Sequence, residues 1–124
     1  MDEAAGKDIL DEIQAAGRRV LPMHEYLAAH DPGGLQGFNS FLMSSIYEQD
    51  ALDPRYKEIV LACACIAAGS AVAVIAAHCR KALEFGASRA EILQAIEMTA
   101  AVFATRSMGA GVSALLEADP EGIS

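Results

Sequence analysis

From Ile59 to Ala77 the chain runs nineteen residues without a charge, then closes abruptly on His78, Cys79, Arg80 and Lys81. Before that block the hydrophobic positions recur with helical spacing. Phe38, Phe41, Leu42 and Ile46 stand three or four residues apart, which predicts a helix over about 35–47. An amphipathic helix is predicted over 3–20, and Pro22 marks a break before a further helical turn through Tyr26 to Ala29. His30-Asp31-Pro32-Gly33-Gly34 reads as a turn cluster.

Asp53-Pro54 is a strong helix start, because Asp caps and Pro occupies the first turn, where its missing N–H costs nothing. The helix from Pro54 carries Arg55, Tyr56, Lys57 and Glu58 in its first turns and is then apolar all round, a pattern that belongs in an interior. Gly69 is expected to end it. Ser70 is expected to cap the next helix, which runs to Phe85 and stops at Gly86. Ser88-Arg89-Ala90-Glu91 is a capping box for a helix over about 89–104, and a last helix is predicted over about 108–117. No alternating strand pattern, repeat or long linker interrupts this order. The expectation is one all-α domain over 1–124.

Gly69-Ser70 leaves almost no loop, so the two central helices must form an antiparallel hairpin. On the second, Ala71, Val74, Ile75, Ala82 and Phe85 share a face with His78, whereas Arg80 points to solvent. An imidazole thus interrupts an apolar stripe. Glu58 lies twelve residues before the turn and His78 eight after it. The axial offset of four residues is roughly 6 Å at helical rise, which long side chains can close. Two readings follow: a core histidine tied to a carbonyl or to Glu58, or an acid/base group.

Composition adds a partner to this picture. Hydrophobic residues are 53 % of the chain, and with glycine counted and tyrosine left out the share is about 59 %, against roughly 45–50 % on that scale for ordinary domains. A small domain cannot hide that surplus alone, which implies further copies of itself or a membrane. The membrane is the weaker choice. Only seven residues of 59–77 are Ile, Leu or Val, Gly69-Ser70 splits the run, and no aromatic belt flanks its C-terminal end. The net charge of −8 and the lack of any Lys/Arg run argue against nucleic acid. Met1-Asp2-Glu3-Ala4-Ala5 has neither the basic start nor the apolar core of a signal peptide. Cys63, Cys65 and Cys79 are an odd set without framework spacing, best read as reduced thiols. A cytoplasmic protein is expected. No zinc helix is encoded: His24-Glu25 and His30 miss the His-Glu-x-x-His spacing, because residue 28 is Ala.

Leu52-Asp53-Pro54-Arg55-Tyr56-Lys57-Glu58-Ile59, then His78, Lys81-Ala82-Leu83-Glu84-Phe85-Gly86-Ala87-Ser88 and Glu91-Ile92, resemble the carboxymuconolactone decarboxylase and AhpD-like superfamily. The resemblance covers a core of 52–95. It implies an AhpD-like orthogonal bundle of about six helices around a central antiparallel hairpin, assembled as a homotrimer or homohexamer. The thiol-peroxidase branch of that superfamily looks like a Cys-x-x-Cys pair seven and four residues before the histidine. Here those places hold Ala71 and Val74, or Ser70 and Ala73 counted from Glu58, because one extra residue separates the two landmarks. Peroxiredoxin-like chemistry lacks its sulfurs and ranks last.

The decarboxylase branch keeps the histidine without the cysteines and uses neither metal nor organic cofactor. By that resemblance His78 is the expected proton donor, Glu58 its catalytic partner, and Arg55 or Lys57 the cation for a small carboxylate or lactone, with Ala71 and Val74 leaving room for it. The extra residue turns Glu58 by about 100° relative to the family pattern, which leaves its place undecided from sequence. The alternative is a non-catalytic oligomeric module of the same fold that binds a ligand or partner.

Overall fold

A computed structural model describes residues 3–123, with side chains through residue 121. The described residues are helical and contain no strand. They form two compact units, Met1–Ala51 and Leu52–Ser124.

In the first unit, α1 (Glu3–Ala15) turns Gly6, Ile9 and Ile13 inward. It stops earlier than the pattern predicts, because Gly17 adopts φ +74°, a left-handed conformation in which glycine lacks the Cβ penalty. α2 (Pro22–His30) is a full helix rather than a single turn, with Pro22 at its start. Likewise the expected turn cluster at 30–34 narrows to Asp31. That residue is the N-cap of α3 (Pro32–Leu42), and its side chain accepts the Gly34 N–H at 2.9 Å. The Asp-Pro signal recognised at 53–54 therefore operates twice. After α3 the backbone widens into a π-helical turn, Met43–Tyr47. Ile9, Ile13, Ala28 and Leu35 form the core these three helices share, with Leu10, Val20 and Leu27 against it.

In the second unit, α4 (Pro54–Ala68) and α5 (Val72–Glu84) form the expected hairpin. Gly69, at φ +75°, closes α4, and the Ser70 N–H returns to the Cys65 carbonyl at 2.9 Å, the backbone bond of a left-handed C-cap. Ala71 rather than Ser70 occupies the N-cap of α5, without a side-chain cap. The two helices predicted over 89–104 and 108–117 are one, α6 (Arg89–Ala118). No proline lies between them, and Gly109 and Gly111 stay out of the left-handed region, so each weakens the helix by about 1 kcal/mol without ending it. The Ser88–Glu91 capping box forms as predicted. A short 3-10 turn follows at Pro120–Ile123.

Ala82, Ala87 and Ile92 are the core of this unit, with Ile59, Cys79 and Ile96 packed against it. The expected interior place of α4 is not realised within one chain. Glu58 and Ala62 are buried, but Val60 is 53 % exposed. Nor is the predicted face of α5 uniformly covered: Ala82 is buried, while Ala71, Val74 and Phe85 are exposed. No helix among the described residues is long and apolar enough to cross a membrane, since the uncharged run is split at Gly69.

Candidate functional site

The hairpin brings Glu58 and His78 together. Glu58 projects from the second turn of α4 and His78 from the middle of α5. The imidazole Nδ1 lies 2.7 Å from the Glu58 Oε2, with the two side chains 23 % and 11 % exposed. This settles the register left open by the extra residue. Packing of the two rods directs both groups to the same level, as the four-residue offset allows.

A carboxylate can only accept a hydrogen bond, so opposite ionised Glu58 the imidazole donates from Nδ1. Nε2 is then the nitrogen left to give or take a proton, and the partly open position of the ring lets solvent or a small molecule reach the pair. Such an arrangement can hold an imidazole in one orientation and let it exchange protons with water.

Arg55 shares a face of α4 with Glu58, three residues away. Its Nε lies 3.5 Å from Asp53 Oδ1 without completing a hydrogen bond, and its guanidinium stacks over the Tyr56 ring at 4.8 Å. Asp53 also accepts the Arg55 backbone N–H at 3.1 Å. Sequence reasoning did not assign this anchoring to Asp53 and Tyr56, although their adjacency to Arg55 is the signal that could have found it. Lys57 is half-buried on the same helix. Ala71 and Val74 lie seven and four residues before His78 on α5, both exposed.

The three cysteines are free and half-buried. Cys63 and Cys65 lie on α4, and Cys79 follows His78 on α5. Further along α4, Cys63 and Ala67 face Thr99, Val102, Phe103 and Arg106 of α6 across an open, mostly apolar cleft of about 380 Å³. The first unit has an open cleft of about 670 Å³ of mixed character, lined in part by Glu12, Asn39, Phe41, Met43 and Glu48. Neither cleft was legible in sequence, because each is lined by residues far apart along the chain.

Glu91, at the start of α6, illustrates the local electrostatics. Hydrogen bonds from the Ser88 backbone and then its hydroxyl, with the more distant charge of Arg55, hold its carboxyl below the ordinary glutamate value. Compared with known proteins, the chain matches the family model described as carboxymuconolactone decarboxylase over residues 32–117. No curated protein and no solved structure matched it. The matched segment begins at α3 and ends within the last turn of α6, so both the Glu58–His78 pair and Arg55 fall inside it.

Proposed function

The chain belongs to the carboxymuconolactone decarboxylase family, and from that premise we propose that Glu58 and His78 are the acid/base centre of a decarboxylase-like lyase acting on a small carboxylate or lactone. The observation that carries this reading is the 2.7 Å contact between Nδ1 and Oε2 across the α4–α5 hairpin. The C–C bond to the leaving carboxylate breaks, its electron pair stays on the substrate carbon and CO₂ departs. His78 delivers the proton from Nε2 to that carbon and is recharged by water. Glu58 accepts from Nδ1 and keeps the ring oriented. Arg55, braced by Asp53 and Tyr56, or Lys57 holds the anionic substrate. No metal or organic cofactor is required by this sequence of steps.

A thiol-peroxidase role has no support in the placement of the sulfurs. Residues 71 and 74 are Ala and Val, and the three cysteines do not form the attacking and resolving pair that peroxide chemistry requires. The reading includes self-assembly, as a homotrimer or homohexamer. Its support is the apolar surface that one chain leaves open on the second unit, where Val60, Val72, Met98, Val102, Met108 and Leu115 are all exposed.

The test is release of CO₂ from carboxymuconolactone and related small carboxylactones by the purified chain. His78→Ala should abolish it and Glu58→Gln should lower it by 10²-fold or more, within the usual range for a general acid and its partner. Turnover by His78→Ala at the parent rate would eliminate the assignment.

A further inference from the structure

The segment preceding the family match contains a histidine that the Glu58–His78 centre does not use. His24 is 3 % exposed on α2, and its Nδ1 accepts the Leu21 backbone N–H at 2.8 Å. That bond finishes the N-terminus of α2, because Leu21 stands at the N-cap and its side chain has no acceptor to offer. A ring nitrogen that accepts carries no proton, so the neutral imidazole keeps its hydrogen on Nε2. Nε2 is buried and has no hydrogen-bond partner.

The charges around the ring are few. α1 directs Gly6, Ile9 and Ile13 inward and keeps Lys7, Asp8, Asp11 and Glu12 exposed. α3 contains no titratable residue. On α2 itself Glu25, Tyr26 and His30 are exposed. The charge acting on His24 is Arg18, in the connection between α1 and α2, whose guanidinium is held by the buried Asn39 of α3.

We infer that His24 is a proton-operated latch, which keeps the N-terminal turn of α2 closed within the packed first unit while neutral and loosens it when the ring takes up a proton. Three effects act together. A proton on Nδ1 turns the acceptor of the Leu21 N–H into a donor facing a donor. It places a second cation near Arg18, which Asn39 prevents from turning away. The unpartnered Nε2–H gives the new charge no acceptor on the other side of the ring. Burial first, and Arg18 second, hold the His24 pKa below the ordinary value of 6.5. The sign follows from that direction. As pH falls through 6.5 the unfolded chain takes up the proton and the folded unit does not. Stability of the first unit is therefore full above 6.5 and declines below it until the folded form also protonates.

Amide hydrogen exchange on the full chain between pH 8 and 5, corrected for intrinsic rates, tests the latch. Protection of α1 and α2 should fall by up to about tenfold per pH unit below 6.5, the limit for one linked proton. His24→Gln, neutral throughout, should remove this dependence. Arg18→Gln leaves His24 titratable without its neighbouring cation and should make the dependence shallower, so the inference stays testable if His24→Gln does not fold. Flat protection in the parent chain, or a pH dependence that neither substitution alters, would overturn it.

Discussion

Glu58 on α4 and His78 on α5, twenty residues apart in the chain, meet at 2.7 Å through Oε2 and Nδ1. The contact joins the two rods of the hairpin at the level where the uncharged run ends. If it contributes to stability as a charge-assisted hydrogen bond, the two substitutions Glu58→Gln and His78→Ala are not additive. A double-mutant cycle in urea should return a coupling of about 1–2 kcal/mol. A coupling of zero would mean that the groups are merely adjacent.

Gly6 lies directly against the backbone of α2. A Cβ built there would stand 2.2 Å from the Ala28 carbonyl oxygen, and backbone cannot swing aside as a side chain can. Gly6→Ala should therefore destabilise the packing of α1 on α2 by about 1–3 kcal/mol, the usual range for overpacking. Gly69→Ala is a useful contrast, because nothing lies within 4 Å of its Cβ but φ is +75°. Its cost is conformational alone, roughly 1–2 kcal/mol. Exchange protection should fall in α1 and α2 for the first variant and in α4 and α5 for the second.

The Ser88–Glu91 capping box gives α6 an acid sensitivity of its own. Ser88 hydrogen bonds lower the Glu91 pKa in the folded state, so the stabilisation is present above the ordinary glutamate value of 4.5 and is lost as pH falls through the lower folded value. Glu91→Gln should remove that dependence, and Ser88→Ala, which deletes the hydroxyl but keeps the backbone N–H, should only weaken it, read as the pH profile of exchange in the first turns of α6. An unchanged profile would show that the two hydrogen bonds do not set the titration.

Self-assembly predicts a concentration-dependent mass. Val102 is 71 % exposed in the single chain and sits beside Met98 on one face of α6. Val102→Asp should weaken association by on the order of tenfold, or about 1.4 kcal/mol, in sedimentation equilibrium. A parent chain that sediments at the mass of one chain at every concentration would remove the proposed assembly.

Several features of this protein were legible from local signals. Asp53-Pro54, Gly69, Gly86 and Ser88–Glu91 each act over four residues or fewer, and each forms the boundary its chemistry predicts. Boundaries that depend on balance were less legible. The break predicted between 104 and 108 has no proline or left-handed glycine behind it, and a helix already propagating in both directions runs through it. At 30–34, several turn-forming residues obscured a one-residue cap at Asp31. In the sequence His24 carries only an incomplete zinc pattern. Its burial, its acceptor role toward Leu21 and the pinned Arg18 arise only when α1, α2 and α3 pack.

What the sequence determined by itself is the all-helical class, the hairpin and the family, because capping, turn chemistry and hydrophobic spacing are short-range and repeat along the chain. The tertiary structure alone decided that Glu58 reaches His78 despite the extra residue between them, that α4 keeps one face open, and that His24 is sealed away from water. Those outcomes depend on how rods rotate and slide against one another to fill space, and side-chain packing between distant segments sets that rotation.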